Sequence, residues 1–211
     1  MFHKETVDSS LLELLISLQE EPILQGFYLA GGTSLALQMG HRKSIDIDLF
    51  SQVSFDNQTL LEYLEEKYQF HLYYISSNTL KGSVHGINVD ILTHKYPLVN
   101  NIVNYGHVKL YSKEDIAAMK LNAIVGNGTR LKDFIDVYFL LKYYTLTEMI
   151  GFYQAKYTLR NEIQVLKSLI YFNDVDVNDW PILVEEPKLT FNRIKKHISE
   201  HVNNYTKSEL T

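Results

Sequence analysis

Two short stretches hold residues whose types and spacing could do chemistry together. Gly31-Gly32-Thr33-Ser34 follows Gly26-Phe27-Tyr28-Leu29-Ala30, which reads as a short buried strand entering a tight turn. Paired glycines let backbone N–H groups approach a ligand, because no Cβ stands in the way. Thr33 can cap a helix whose Leu35, Ala36, Leu37 and Met39 face the core. A helix N-terminus with free N–H groups is a site for phosphate. The second stretch is Ile45-Asp46-Ile47-Asp48-Leu49-Phe50. As a strand it sends Ile45, Ile47 and Leu49 to one face and Asp46 and Asp48, side by side, to the other. Adjacent carboxylates repel, a divalent cation relieves that repulsion, and an all-oxygen donor set favours Mg²⁺ or Mn²⁺. Between the two lies Gly40-His41-Arg42-Lys43-Ser44, with two fixed positive charges. Each half alone is common in solvated turns and strands. In this order they put a phosphate cradle and a metal-binding pair on neighbouring elements, as nucleotidyl transfer requires.

The run Tyr28 to Leu37, followed by His41-Arg42-x-Ser44-x-Asp46-x-Asp48-Leu49-Phe50, resembles the AbiEii family of nucleotidyltransferase toxins. These belong to the polymerase-β-like superfamily and are encoded beside an antitoxin in bacterial toxin–antitoxin or phage-defence loci. The resemblance spans about residues 10 to 145. It implies metal-assisted, in-line attack of an acceptor hydroxyl on the α-phosphate of an NTP, releasing pyrophosphate. It also makes Asp90, flanked by Val89 and Ile91, a third carboxylate beside Asp46 and Asp48, able to join the metal and help deprotonate the hydroxyl. Lys120 then points toward phosphates, and Lys132-Asp133-x-x-Asp136 matches the family's last motif. The implied catalytic and metal set is Asp46, Asp48 and Asp90. The implied nucleotide-binding set is Gly31, Gly32, Thr33, Ser34, Arg42, Ser44, Lys120, Lys132, Asp133 and Asp136. Family members often carry an arginine in the turn where this chain has Asn127, and Arg130 is the candidate replacement. The expected partners are an NTP substrate, an acceptor among tRNA, other RNA or protein, and a cognate antitoxin from an adjacent gene.

Plainer readings stand beside these. A lone strand Asp90 can be an edge residue facing water. A lysine on the apolar run Ile116 to Ile124 usually snorkels to solvent. Asp133 and Asp136 suit a helix N-terminus, and Lys132 can pair with Asp136 at i+4. An Asp-x-Asp strand end also suits a haloacid-dehalogenase-like phosphohydrolase, although that fold wants a long apolar strand where this chain has Gly40 to Ser44. A nucleotide-sensing or protein-binding module on the transferase fold is the non-catalytic alternative.

The 211 residues, 45% hydrophobic, suit a globular chain with a sizeable core. The absence of cysteine excludes disulfides and thiolate metal sites. A net charge of −5 argues against a non-specific nucleic-acid coat. His71, His85, His94 and His107 are isolated and form no zinc pattern. Met1-Phe2-His3-Lys4-Glu5 starts no signal peptide and no apolar run reaches the ~18 residues of a membrane span, so a bacterial cytoplasmic protein with no membrane partner is expected.

Helical spacing marks residues 9–20 and 56–68, and a period of two marks 70–76, 79–84 and 86–92 as successive antiparallel strands. Residues 94–106 read as a loop and 107–111 as a brief strand. Ser112-Lys113-Glu114-Asp115 reads as a capping box opening a helix. Beyond Gly126-Asn127-Gly128-Thr129 come a helix from Arg130 and helical stretches 147–157, 161–171 and 190–204. The loop 173–181, rich in Asp and Asn, lacks the glycine and terminal glutamate of an EF-hand. Arg193, Lys195, Lys196 and His197 suit an RNA backbone or a solvated helix face equally. The fold class is α/β (α+β): a small mixed sheet forming a nucleotidyltransferase domain over 1–112, then a helical C-terminal domain over 113–211.

Overall fold

A computed structural model of the protein describes residues 1–157 and 161–209. Their contacts divide the chain into two compact units, Met1–Pro97 with Asn101–Tyr111, and Leu98–Asn100 with Ser112–Thr211.

The first unit holds helices α1 (Ser9–Glu20), α2 (Gly31–Met39) and α3 (Asn57–Tyr68) and strands β1 (Tyr28–Leu29), β2 (Ile47–Ser51), β3 (His71–Ser76), β4 (Thr79–Val84), β5 (Ile87–Thr93), β6 (Val103–Tyr105) and β7 (Val108–Leu110). The strands make one mixed sheet in the order β3-β4-β5-β2-β1-β7-β6. β2 runs parallel to β5 and β1 parallel to β7, while the other neighbours are antiparallel. One face is buried by Leu11, Leu15 and Leu18 of α1 and Leu60, Leu61 and Leu64 of α3, which meet Ile47, Leu49, Leu80, Val89 and Ile91 from the strands. Asp56 starts α3 by accepting from the Thr59 N–H at 2.8 Å, the bond a helix entry needs.

Two expectations change. The stretch 94–106 is not all loop: β6 lies within it and pairs with β7 around Gly106, whose φ of +60° suits the turn. Three residues are too few to print a period in the sequence. The second strand motif starts at Ile47 and not Ile45, so Ile45 stays exposed while Ile47 and Leu49 are buried.

The second unit is helical: α4 (Lys113–Gly126), α5 (Leu131–Leu140), α6 (Leu146–Lys156), α7 (Glu162–Leu169) and α8 (Phe191–Glu209). Ser112 caps α4, accepting from the Asp115 N–H at 3.0 Å. Asp115 is fully buried and its carboxylate gathers Ser112 Oγ at 2.7 Å, the N–H groups of Val99 and Asn100 at 3.0 and 3.1 Å, and Lys156 Nζ at 2.7 Å. These bonds tie Leu98–Asn100 to the second unit. Thr145 and Glu148 form the reciprocal capping box of α6. In α8, Ile194, Ile198, Val202 and Tyr205 form the buried stripe. The loop 173–181 is pinned by the Asp176 N–H on the Thr129 carbonyl at 2.9 Å and by Asp179 on Lys132 at 2.8 Å. The expected stretch 161–171 ends as helix at Leu169; the end of the C-terminal tail, beyond Glu209, lies outside the described residues. Among the described residues no helix is long and apolar enough to cross a membrane.

At the end of α1, Glu21 is buried and receives three donors from α3: Lys67 Nζ at 2.7 Å, and the hydroxyls of Tyr63 and Tyr68. Burial alone would raise its pKa, but those donors outweigh it and hold the carboxyl down at about 2, against an ordinary 4.5. A carboxyl depressed in the folded state adds stability above its unfolded pKa and loses it as pH falls toward the folded one. The wild type should therefore lose stability relative to Glu21→Gln between pH 4.5 and about 2, and not between pH 5 and 8. Urea melts of both proteins across that range check this; parallel pH curves would show that Glu21 is not the acid-sensitive anchor.

Candidate active site

The hairpin β4–β5 turns at His85-Gly86, both with positive φ (+49° and +82°), the two-residue geometry that matches strand twist. That turn pairs Val84 with Ile87 and, three steps on, Lys81 with Asp90. The parallel pairing of β5 with β2 sets Asp90 beside Asp48. Lys81, Asp90 and Asp48 thus form a file across three strands on one sheet face. A second file runs beside it: Ser83 pairs with Asn88, whose Nδ2 donates to Asp46 Oδ1 at 3.0 Å. Lys81 Nζ is in ion pair with Asp90 Oδ2. The opposite faces of β2 and β5 carry Ile47, Leu49, Val89 and Ile91, all fully buried, which holds the carboxylates on the other side.

Asp48 packs against the backbone of Gly31. A Cβ at Gly31 would overlap Asp48 Oδ2, and Gly31 also has φ +63°. A Cβ at Gly32 would overlap Arg42 Nη2. The glycine pair therefore lets Asp48 and the buried Arg42 guanidinium approach the start of α2. Arg42 Nη1 donates to the Lys43 carbonyl at 3.0 Å. Thr33 does not cap α2: the helix begins at Gly31 with Ala30 before it. Instead Thr33 Oγ1 donates to the Asp46 carbonyl and meets Ser44 Oγ at 2.8 Å, fastening the segment that carries Asp46. Ser34 is buried, with its hydroxyl donating to the Tyr111 carbonyl at 3.3 Å and accepting from Gln38 Nε2 at 3.2 Å.

In the second unit Lys120 does not snorkel. Its side chain is only 7% exposed and bridges Asp133 Oδ1 at 2.6 Å and Asp136 Oδ2 at 2.7 Å. Arg130 Nε lies 3.7 Å from the other Asp133 oxygen. Lys132 turns to Asp179, so the expected i+4 pair with Asp136 is replaced by Lys120. One histidine pair escaped the sequence reading: His197 and His201, one turn apart in α8, have ring centroids 4.6 Å apart. Burial lowers the pKa of both.

Lys81 and Asn88 were also missed among the candidate residues. The signal that could have found them is the tight turn His85-Gly86, which dictates which residue of β4 faces Asp90.

Among the described residues no three His, Cys, Asp or Glu side chains converge closely enough to hold a metal ion. The donor chemistry nevertheless fits a hard cation. Asp48 and Asp90 are register partners, and Asp90 already holds a cationic group, Lys81.

The profile described as nucleotidyl transferase AbiEii toxin, type IV toxin–antitoxin system, matches residues 13–76 and 93–205. It covers Asp46, Asp48, Lys120, Asp133 and Asp136 but leaves out the stretch with Lys81, Asn88 and Asp90. An uncharacterized protein of Aquifex aeolicus, aq_aa25, is 33% identical over 169 residues, covering 77% of this chain and 80% of that one. The crystal structure of JHP933 from Helicobacter pylori has the same fold, with a TM-score of 0.56 at 14% identity over 96% of this chain and 94% of that one. A candidate nucleotidyltransferase from H. pylori matches with a TM-score of 0.56 at 15% identity, over 94% and 92%. The phosphohydrolase alternative falls with these findings. More than half of the chain lies within the family match, and the protein belongs to the AbiEii family of nucleotidyl transferase toxins.

Proposed function

We propose that the protein transfers a nucleoside monophosphate from an NTP to an acceptor hydroxyl, using the carboxylates of β2 and β5, and that this transfer is the basis of its toxicity. One observation carries the reading: the parallel register that sets Asp48 beside Asp90, with Asp46 two residues along and the Gly31-Gly32 turn against Asp48. Asp48 and Asp90, with Asp46 two residues before Asp48, would hold Mg²⁺ or Mn²⁺, which when bound would lower the pKa of the attacking hydroxyl and offset the charge of the triphosphate. Asn88 fixes the rotamer of Asp46 through its 3.0 Å hydrogen bond. Asp90 takes the proton of the acceptor hydroxyl. Arg42, beside Gly32 at the start of α2, faces the phosphates together with the first N–H groups of the helix. The acceptor is tRNA, another RNA or a protein; the antitoxin is the product of a neighbouring gene, and the setting is the bacterial cytoplasm.

The test incubates the protein with α-labelled NTPs, Mg²⁺ or Mn²⁺ and total cellular RNA and protein. Label should enter one acceptor class, and Asp48→Ala should lower the rate at least about a hundredfold, the scale of losing a group that stabilises transition-state charge. Induction of the wild type without its antitoxin should arrest growth, and Asp48→Ala at matched levels should not. Equal arrest by both would reject the enzymatic account.

The Lys120 cluster generates a separate expectation. Lys120→Met leaves Asp133 and Asp136 buried without their shared cation, and breaking a buried pair costs about 3–5 kcal/mol. Denaturant titration should show that loss, and Lys120→Met combined with Asp136→Leu should recover part of it. A melt like that of the wild type would remove Lys120 from the supports of the second unit. NTP affinity, measured where the variant stays folded, decides the further assignment of Lys120 to phosphate: an unchanged affinity removes it.

A further inference from the structure

We propose that Lys81 is a resident cation at the third carboxylate, a positioning residue that holds Asp90 until a divalent ion displaces it. The inference rests on the metal reading above and adds to it a residue outside the family match. It starts from the sheet. Lys81 and Asp90 are cross-strand partners, Asp90 and Asp48 are partners on the other side, and all three alternate onto the face opposite the core. Two carboxylates, Asp48 and Asp90, thus sit side by side on one face, and in the ion-free protein their mutual repulsion needs a counter-charge. Lys81 supplies it at Asp90, and the Asn88 amide donates to Asp46.

The pair is built to be exchanged. Lys81 is 44% exposed and Asp90 26%, so water can replace either partner when they part. Exposed pairs of this kind are weak. The ammonium sits on a flexible four-carbon stem and can swing into solvent, whereas Asp90 is fixed by a strand paired on both sides. Contrast the pair Lys156–Asp115, in which both side chains are 0% exposed; no ion from solvent can compete there. Asp48 and Asp90 are the residues that would hold a divalent cation, whose charge would be twice that of the ammonium. Lys81 would then leave Asp90, whose carboxylate would turn from ion-pair partner to ligand.

Two effects of opposite sign follow from removing this cation. Without Lys81 the carboxylates repel in the ion-free protein, which should lower its melting temperature. Without Lys81 the incoming ion also has no rival, which should tighten its binding. A lysine with only a structural role would give the first effect and not the second.

The experiment measures Mn²⁺ binding by calorimetry and by the electron paramagnetic resonance of free Mn²⁺, on the full chain with no NTP present. Wild type, Lys81→Met, Lys81→Gln and Lys81→Arg are compared, with melting curves at zero and saturating Mn²⁺. Lys81→Met and Lys81→Gln should bind Mn²⁺ about two- to fivefold more tightly, the scale set by an exposed ion pair. They should also melt lower without the ion and gain more from it. Lys81→Arg should stay close to the wild type. The gap should narrow at high salt, which screens half-exposed charges. Equal or weaker Mn²⁺ binding by Lys81→Met and Lys81→Gln, with the wild type binding normally, would overturn the role of Lys81 and leave the metal reading intact. Failure of every form to bind Mn²⁺ would overturn both.

Discussion

The arrangement of the site depends on the register between two parallel strands, β2 and β5. Their side chains alternate, so each residue that faces the core commits its neighbours to the other side. Ile47, Leu49, Val89 and Ile91 are fully buried, and each such side chain contributes about 1.5–3 kcal/mol when removed from water. Two carboxylates about 4 Å apart repel by about 1–4 kcal/mol at the dielectric of a protein surface, before salt screening. Apolar burial therefore wins. A slip of one residue would put Asp48 and Asp90 into the core and the aliphatic residues into solvent. The core thus imposes an electrostatic strain that the opposite face must relieve with cations.

The glycine turn is the second constraint, and it acts through the first. Asp48 lies against the α-carbon of Gly31 only because no Cβ is there, and Arg42 lies against Gly32 for the same reason. Any side chain at Gly31 would push Asp48 away and would also have to adopt a left-handed backbone. Thr33 and Ser44 then tie the start of α2 to the segment leading into β2. The motif residues therefore have two duties: some can face a ligand, and others fasten the loop that presents the carboxylates.

Much of this was legible in the sequence, because periodicity is a local property. The strands β3, β4 and β5 and the helices α1 and α3 follow from spacing alone. What the sequence hid was pairing between distant segments. Asp48 and Asp90 are partners in a parallel pair, and no turn between them advertises it. Lys120 reads as a phosphate-facing or solvent-seeking lysine, and its pairing with Asp133 and Asp136 stays hidden because they lie in the next helix. Thr33 looked like a cap because caps favour its side chain, yet the helix had begun two residues earlier. Lys132 had an obvious helical partner in Asp136 but took Asp179 in a loop, since Lys120 had already claimed Asp136. In each case a tertiary partner overrode a local one.

Exposure sorts the protein's ion pairs by what they can do. Asp115 with Lys156, and Asp133 and Asp136 with Lys120, are removed from water. Desolvation makes such groups expensive to separate, and parting them would strand a charge in the interior. They hold structure. Glu21 is intermediate: its carboxylate is buried, but Lys67 remains half exposed, so the pair anchors α1 to α3 and yields to acid. Asp90 and Lys81 lie at the other extreme, both reachable by solvent and placed beside a second carboxylate. There the cost of separation is small, because water receives the ammonium and another cation can take the carboxylate. A charge pair that adds little to folding and that solvent can open is able to exchange its cation, and the sheet register sets this one beside a second carboxylate.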